Sequence, residues 1–123
     1  MSTLKVNGIE PANPGSEDYF LARAWVNFNG KLTVSINDEG NISSLTDYNV
    51  GYYGVTFSSA LISSSYSTSC GGIRTGTSDT ESSPNISYDT LGTYSTGGIR
   101  MKTYDNDTNG RQDCDMVCVQ MVI

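Results

Sequence analysis

The hexapeptide DNDTNG, residues 105–110, begins as a calcium loop does, with oxygen-bearing side chains at alternate positions and a glycine closing the run. Asp105, Asp107 and Asn109 would supply oxygens, Gly110 the sharp turn, and Asp113 stands close enough along the chain to add another. The helical calcium hand also needs a bidentate glutamate further on, and that position is Met116. No helical pattern flanks the loop. The competing reading is a polar hairpin loop whose Asx side chains bond their own backbone. No cofactor is expected, calcium at this loop being the one exception to test.

Other chemistry is thinly supplied. Thirteen Asp and Glu allow in principle a carboxylate pair for glycoside cleavage, but acids in turns are expected of any acidic β domain. The chain has no histidine, which removes Ser-His and Cys-His nucleophile systems. No glycine loop leads into a helix to cradle phosphate. An enzyme is therefore not expected. Cys70, Cys114 and Cys118 are odd in number, and the N-terminal MSTLKVNGIEPANPG lacks the apolar stretch of a signal peptide, so free thiols in a reducing cytosol are expected. On one strand Cys114 and Cys118 would lie about 13 Å apart, too far to bridge. CDMVC offers too few ligands for zinc. Tyr88, Tyr94 and Tyr104 sit in or beside polar stretches. Such tyrosines present a flat apolar body with a hydroxyl, suited to sugar rings or protein epitopes, or else they cap the core beneath their own loops.

The elements that position these residues read as all-β. A chain of 123 residues makes one core. Its net charge of −6 argues against a general nucleic-acid surface and against docking on anionic lipid. Charged residues are only 16%, so Ser, Thr, Asn and Gly carry the polarity, as suits hydrogen bonding to neutral partners such as sugars. No apolar run is long enough to span a membrane as a helix. β-branched residues and tyrosine alternate between Gly, Asn, Asp and Ser punctuation. The pattern predicts a short strand at 3–6, a linker at 7–18 broken by Pro11 and Pro14, and a strand at 19–28 closing on an Asn29-Gly30 hairpin turn. KLTVSIND (31–38) follows with Leu32, Val34 and Ile36 inward, then a Glu39-Gly40 turn, NISSLTD (41–47), and YYGVTF (52–57) with Tyr53, Val55 and Phe57 on one face. YSTSCGGIRTGT (66–77) echoes YSTGGIRMKT (94–103), either as paired strands of one sheet or by accident of composition. Residues 76–98 read as long loops. DMVCVQMVI at the end is apolar on both faces and reads as a doubly buried strand.

ARAWVNFNG (22–30) poses a question within this pattern. Ala24, Val26 and Phe28 share one face, which leaves Trp25, the chain's single tryptophan, on the other with Arg23 and Asn27. A small sandwich buries one face of each sheet. Trp25 thus lies at a subunit contact, beneath a loop of its own chain, or exposed for stacking on a sugar.

ARAWVNFNG, the alternating strand ending at Ile36, NISSLTD, and GYYGVTF with Ala60 and Tyr66 beyond resemble the C-terminal, receptor-binding tip domain of bacteriophage tail fibres. That family shows an Ala-Trp-Val-Asn-Phe-Asn-Gly strand, an Asn-Val-Ser-Ser-Ile-Thr-Asp segment, a Gly-x-Tyr-x-Val-x-Phe strand and often an apolar final strand. The likeness is densest over 22–66 and loose over 67–114, and STLKV resembles the short starts of phage fibre proteins. NDEG and the Tyr-Tyr pair depart from the family's usual turn residues.

The resemblance implies a non-enzymatic virion component, assembled in the host cytoplasm, that engages a glycan or protein of the host surface and is commonly a homotrimer. Residues 1–18 would then be an attachment strand and linker toward other virion proteins, and 19–123 an antiparallel β-sandwich or jelly-roll-like adhesion domain. Expected at the subunit contact are Trp25, Met116, Val117, Cys118 and Val119; expected at the receptor are Tyr88, Tyr94 and Tyr104. Neither nucleic-acid binding nor membrane insertion is expected. A decoration or cement protein on the virion and a polysaccharide-cleaving spike are the alternatives.

Overall fold

Period-two alternation of apolar side chains builds the observed architecture directly. The computed structural model describes residues 2, 22–73, 94–104 and 110–123, and the backbone course of 85–88. Its strands are β1 (Ala22–Asn29), β2 (Ser35–Gly40), β3 (Ile42–Asn49), β4 (Tyr52–Phe57), β5 (Ser67–Ile73), β6 (Asn85–Tyr88), β7 (Tyr94–Ser95), β8 (Gly98–Tyr104) and β9 (Met116–Val122). No helix occurs among the described residues. Every pairing is antiparallel, in one sheet ordered β2-β1-β9-β5 and another ordered β3-β4-β8-β6, with β7 also paired to β8. The predicted strand and linker at 3–18 lie outside the described residues.

The core comes from the inner faces of the four central strands. Ala24, Val26 and Phe28 of β1 and Val117, Val119 and Met121 of β9 meet Tyr53, Val55 and Phe57 of β4 and Ile99 and Met101 of β8. Phe28 and Tyr53 meet edge-on across the sheets with ring centroids 5.1 Å apart. Full burial of a Val, Ile, Phe or Met side chain contributes about 1.5–3 kcal/mol. The arrangement is an all-β sandwich, as the alternation predicts, and β4 spans the predicted YYGVTF with the predicted face inward.

The second strand differs from its prediction. Residues 31–34 belong to the connection, β2 runs from Ser35 to Gly40, and the predicted Glu39-Gly40 turn is strand. Leu32 is 98% exposed at φ +56°, so it points to solvent from the left-handed region. Gly30 does not take positive φ; a side chain there would strike the Tyr53 hydroxyl. β2 is an edge strand, and its register with β1 shifts between Asn27 and Phe28. The shift pairs Ile36 with inward-facing Phe28, as the alternation predicts, but its place on an uncovered edge leaves it 36% exposed.

Two polar devices close the sandwich. Asn41 alone links β2 in one sheet to β3 in the other, at φ +60°. Its side-chain amide donates to the carbonyls of Arg23 and Ser59, its carbonyl oxygen accepts from the Ser59 amide, and its backbone carbonyl accepts from the Ser58 amide. At the opposite corner, Asp113 Oδ1 accepts from the Gly51 amide at 2.7 Å and lies 2.7 Å from the Tyr53 hydroxyl. That hydroxyl is also 2.9 Å from the Gly30 carbonyl, so its one proton serves one acceptor at a time. Gly51 sits at φ +59°, where a side chain would also meet the Gln112 amide and the Thr103 carbonyl. Asp113, considered above as a calcium ligand, is thus bonded within the fold.

The two GGIR copies are not paired. Gly71, Gly72 and Ile73 of the first lie on β5 and the second runs into β8, in different sheets. The tyrosines that open the echo do meet: Tyr66 and Tyr94 stack at 4.8 Å.

Candidate functional site

The tyrosines expected at a receptor are held by strands. Tyr94, in β7, stacks on Tyr66, places its hydroxyl 2.8 Å from Thr68 Oγ1 and packs against the core. It caps its own domain, which corrects its assignment to an open binding loop. Desolvation, with Tyr94 alongside, pushes the Tyr66 hydroxyl up to about 12, partly offset by a hydrogen bond to the Ser95 carbonyl. Tyr104 is half-buried at the end of β8 and bridges to Arg111. Tyr88 ends β6, opposite Met101 in register. Asp105, Asp107 and Asn109 lie outside the described residues. Among the described residues no cluster of three Cys, Asp or Glu is placed to hold a metal ion.

The residues expected at a subunit contact divide between two faces. Val117 and Val119 are 0% and 4% exposed in the core, because their places on β9 point them at the opposite sheet. They are therefore removed from any outer contact. Trp25, Cys118 and Met116 take the alternate positions. Trp25 and Cys118, with Asn27, Ser69, Gly71 and Gln120, line a cavity of about 390 Å³ on the outer side of the β2-β1-β9-β5 sheet. Met116 is half-buried, so within the single chain the outer face of β9 is open at this end. Trp25 lies under no loop of the described residues. Its indole rests against Gly40, its partner across the β1–β2 ladder, where any side chain would collide with it, and it remains 38% exposed. Across the same face Gln120 donates to Ser69 Oγ at 2.8 Å and Asn37 to Asn27 at 2.9 Å.

The three thiols are free, as expected, but differ in setting: Cys114 is buried, Cys118 half-buried and Cys70 exposed. Desolvation nonetheless pushes the Cys70 thiol up.

A second outer face was not anticipated from sequence. On β3, β4 and β8, Tyr48 and Tyr52 lie with ring centroids 5.0 Å apart. The Arg100 guanidinium sits 4.7 Å from the Tyr48 centroid and donates a long, 3.4 Å hydrogen bond to the Tyr52 hydroxyl. The Lys102 ammonium lies 5.4 Å from the Tyr52 centroid. The Tyr52 hydroxyl and then neighbouring Tyr48 hold Arg100 above its ordinary range. Beside this cluster runs a trough of about 260 Å³, lined by Thr46, Tyr48, Gly54, Thr56, Gly98 and Arg100 among others. The cations at 100 and 102 alternate on one strand, the one sequence signal for this face; the tyrosines reach them only through the β3–β4–β8 register.

Among the described residues no helix is long and apolar enough to cross a membrane. No protein-family model matches the chain, and neither does any curated protein or solved structure.

Proposed function

We propose that the chain is a bacteriophage virion component, the receptor-binding tip domain of a tail fibre or a separate fibre-tip protein, which attaches the particle to the host cell surface without chemical turnover. The observation that carries this reading is the ordered run ARAWVNFNG, NISSLTD, GYYGVTF. Its residues form β1, β3 and β4 and have definite tasks in the frame: Trp25 covers Gly40, Phe28 packs on Tyr53, and Asn41 turns the chain between sheets. The reading includes assembly as a homotrimer through the outer face that bears Trp25, Met116 and Cys118, with the opposite sheet presented to the host. A virion address places assembly in the host cytoplasm.

Antibody labelling of intact particles, viewed by electron microscopy, tests the attachment role. Label at the distal ends of tail fibres is expected. Label distributed over the capsid would replace this reading with that of a decoration protein. Loss of viscosity when the purified chain is mixed with host polysaccharide would replace it with a cleaving spike.

A further inference from the structure

The trough on the β3–β4–β8 face points to a ligand of definite chemistry. We infer that it binds a carboxylated sugar, a uronic-acid-type residue, with Arg100 receiving the carboxylate and the threonine rim receiving ring hydroxyls.

Charge gives the first argument. The protein carries thirteen Asp and Glu against seven Lys and Arg, yet among the described residues no carboxylate lines this trough. Register pairs Asp47, the nearest acid along β3, with buried Tyr53 rather than with the outward row. Among the described residues Arg100 forms no ion pair; its partners are the two tyrosines. An arginine in an acidic protein, held by aromatic neighbours and with no acid beside it among the described residues, keeps most of its planar donor fork available to a carboxylate.

The floor and rim give the second argument. Gly54 and Gly98 leave the floor open, and neither can be enlarged without displacement. A side chain at Gly98 would strike the Val55 carbonyl, and one at Gly54 would come within 2.8 Å of the Tyr48 ring. At the rim, the side-chain hydroxyls of Thr46 and Thr56 have no partner among the described residues and both residues are exposed. The volume of about 260 Å³ falls just below the roughly 300–1,000 Å³ typical of small-molecule pockets, which suits one sugar ring of a longer chain. Tyrosine faces, a forked cation and unengaged hydroxyls are the groups that recognise a ring carrying both hydroxyls and a carboxylate.

The test uses the purified full chain, titrated calorimetrically with trigalacturonate, with its methyl-esterified twin, and with neutral trigalactose. The acid trisaccharide should bind at least about tenfold more tightly than either neutral form, as expected for a charge-assisted contact. Arg100→Gln should abolish that preference, and Arg100→Lys should restore part of it. Arg100 is fully exposed, so the variants keep the fold, which thermal unfolding checks. Amide shifts at Gly54 and Gly98 should accompany binding. Equal affinity for acid and ester, unchanged acid binding in Arg100→Gln, or shifts confined to the Trp25 face would overturn the site. The inference rests on the attachment reading only in taking a cell-surface glycan as the source of the sugar. Fibre-tip labelling without acid-sugar binding overturns the site alone; acid-sugar binding with capsid labelling overturns the attachment reading alone.

Discussion

Tyr53 shows how one hydroxyl organises a corner of this sandwich. Its ring packs on Phe28, while its oxygen stands between the Gly30 carbonyl and Asp113. Burial first, then the Asp113 hydrogen bond and charge, push its ionisation far above the ordinary tyrosine range. The consequence for stability has a definite sign. Above pH 10 the unfolded chain releases tyrosine protons that the folded chain retains, so the unfolded state is favoured increasingly as pH rises. The contribution of Tyr66 is complete below its ordinary value of 10.0 and is lost by about 12. That of Tyr53 continues to decline beyond. Denaturant unfolding from pH 8 to 12 should therefore show stability falling above pH 10, less steeply in Tyr53→Phe. At neutral pH the same variant should lose about 2 kcal/mol, because buried acceptors lose their donor. The thiols give a second prediction at this scale. A thiol reagent under native conditions should modify Cys70 first and Cys118 slowly, with Cys114 reacting only on unfolding, because exposure falls in that order. Rapid labelling of Cys114 in the folded protein would contradict its burial.

At the scale of elements, the single-residue corner at Asn41 decides whether two hairpins become a sandwich. Its positive φ is tolerated by asparagine and glycine better than by alanine. Its side chain also ties the corner to Arg23 and Ser59. Asn41→Ala should lose about 2–3 kcal/mol, from strain and absent hydrogen bonds together. Asn41→Gly should lose roughly half of that, since the backbone strain is removed; equal losses in a denaturant series would assign the whole effect to the side-chain bonds. The corner also explains which strands were legible. YYGVTF alternates on a central strand, so every inward residue has an opposing sheet to meet, and the pattern gives β4 to the residue. LTVSI alternates just as well, but Leu32 lies in the connection and Ile36 on an uncovered edge. Alternation records which residues share a face, and says nothing of whether another sheet covers it. The same limit hid the trough. Tyr48, Tyr52, Gly54 and Arg100 come from three strands, and only cross-strand register assembles them. Tyr94 misled in the opposite sense: polar neighbours suggested a loop, while its stacking partner Tyr66 is 28 positions away in sequence.

At the scale of the whole molecule, the two outer faces differ in a way that bears on assembly. The β3–β4–β8 face presents cations, tyrosines and hydroxyls, which hydrate well. The β2-β1-β9-β5 face presents Trp25 and Cys118 around an open cavity, with Met116 and Ile73 paired at one end of the β5–β9 ladder. Ile73 is 50% exposed and Trp25 38%. Side chains of this kind gain most from being covered, and aromatic residues in partly desolvated pockets commonly anchor contacts between subunits. The trimer proposed here therefore places this face inward among the copies and leaves three troughs outward, where individually weak sites reinforce one another. Light scattering at micromolar concentration should give three times the chain mass. Trp25→Ala should shift the population toward monomer, since it removes the largest side chain on that face. The substitution also uncovers Gly40, so its intrinsic cost must be separated from its effect on assembly. Arg100→Gln serves as the control, because it alters the opposite face and should leave the trimer intact. A wild-type monomer at these concentrations, or a Trp25→Ala protein that scatters as the wild type does, would remove this face from the assembly and leave the indole as a cover for its own sheet.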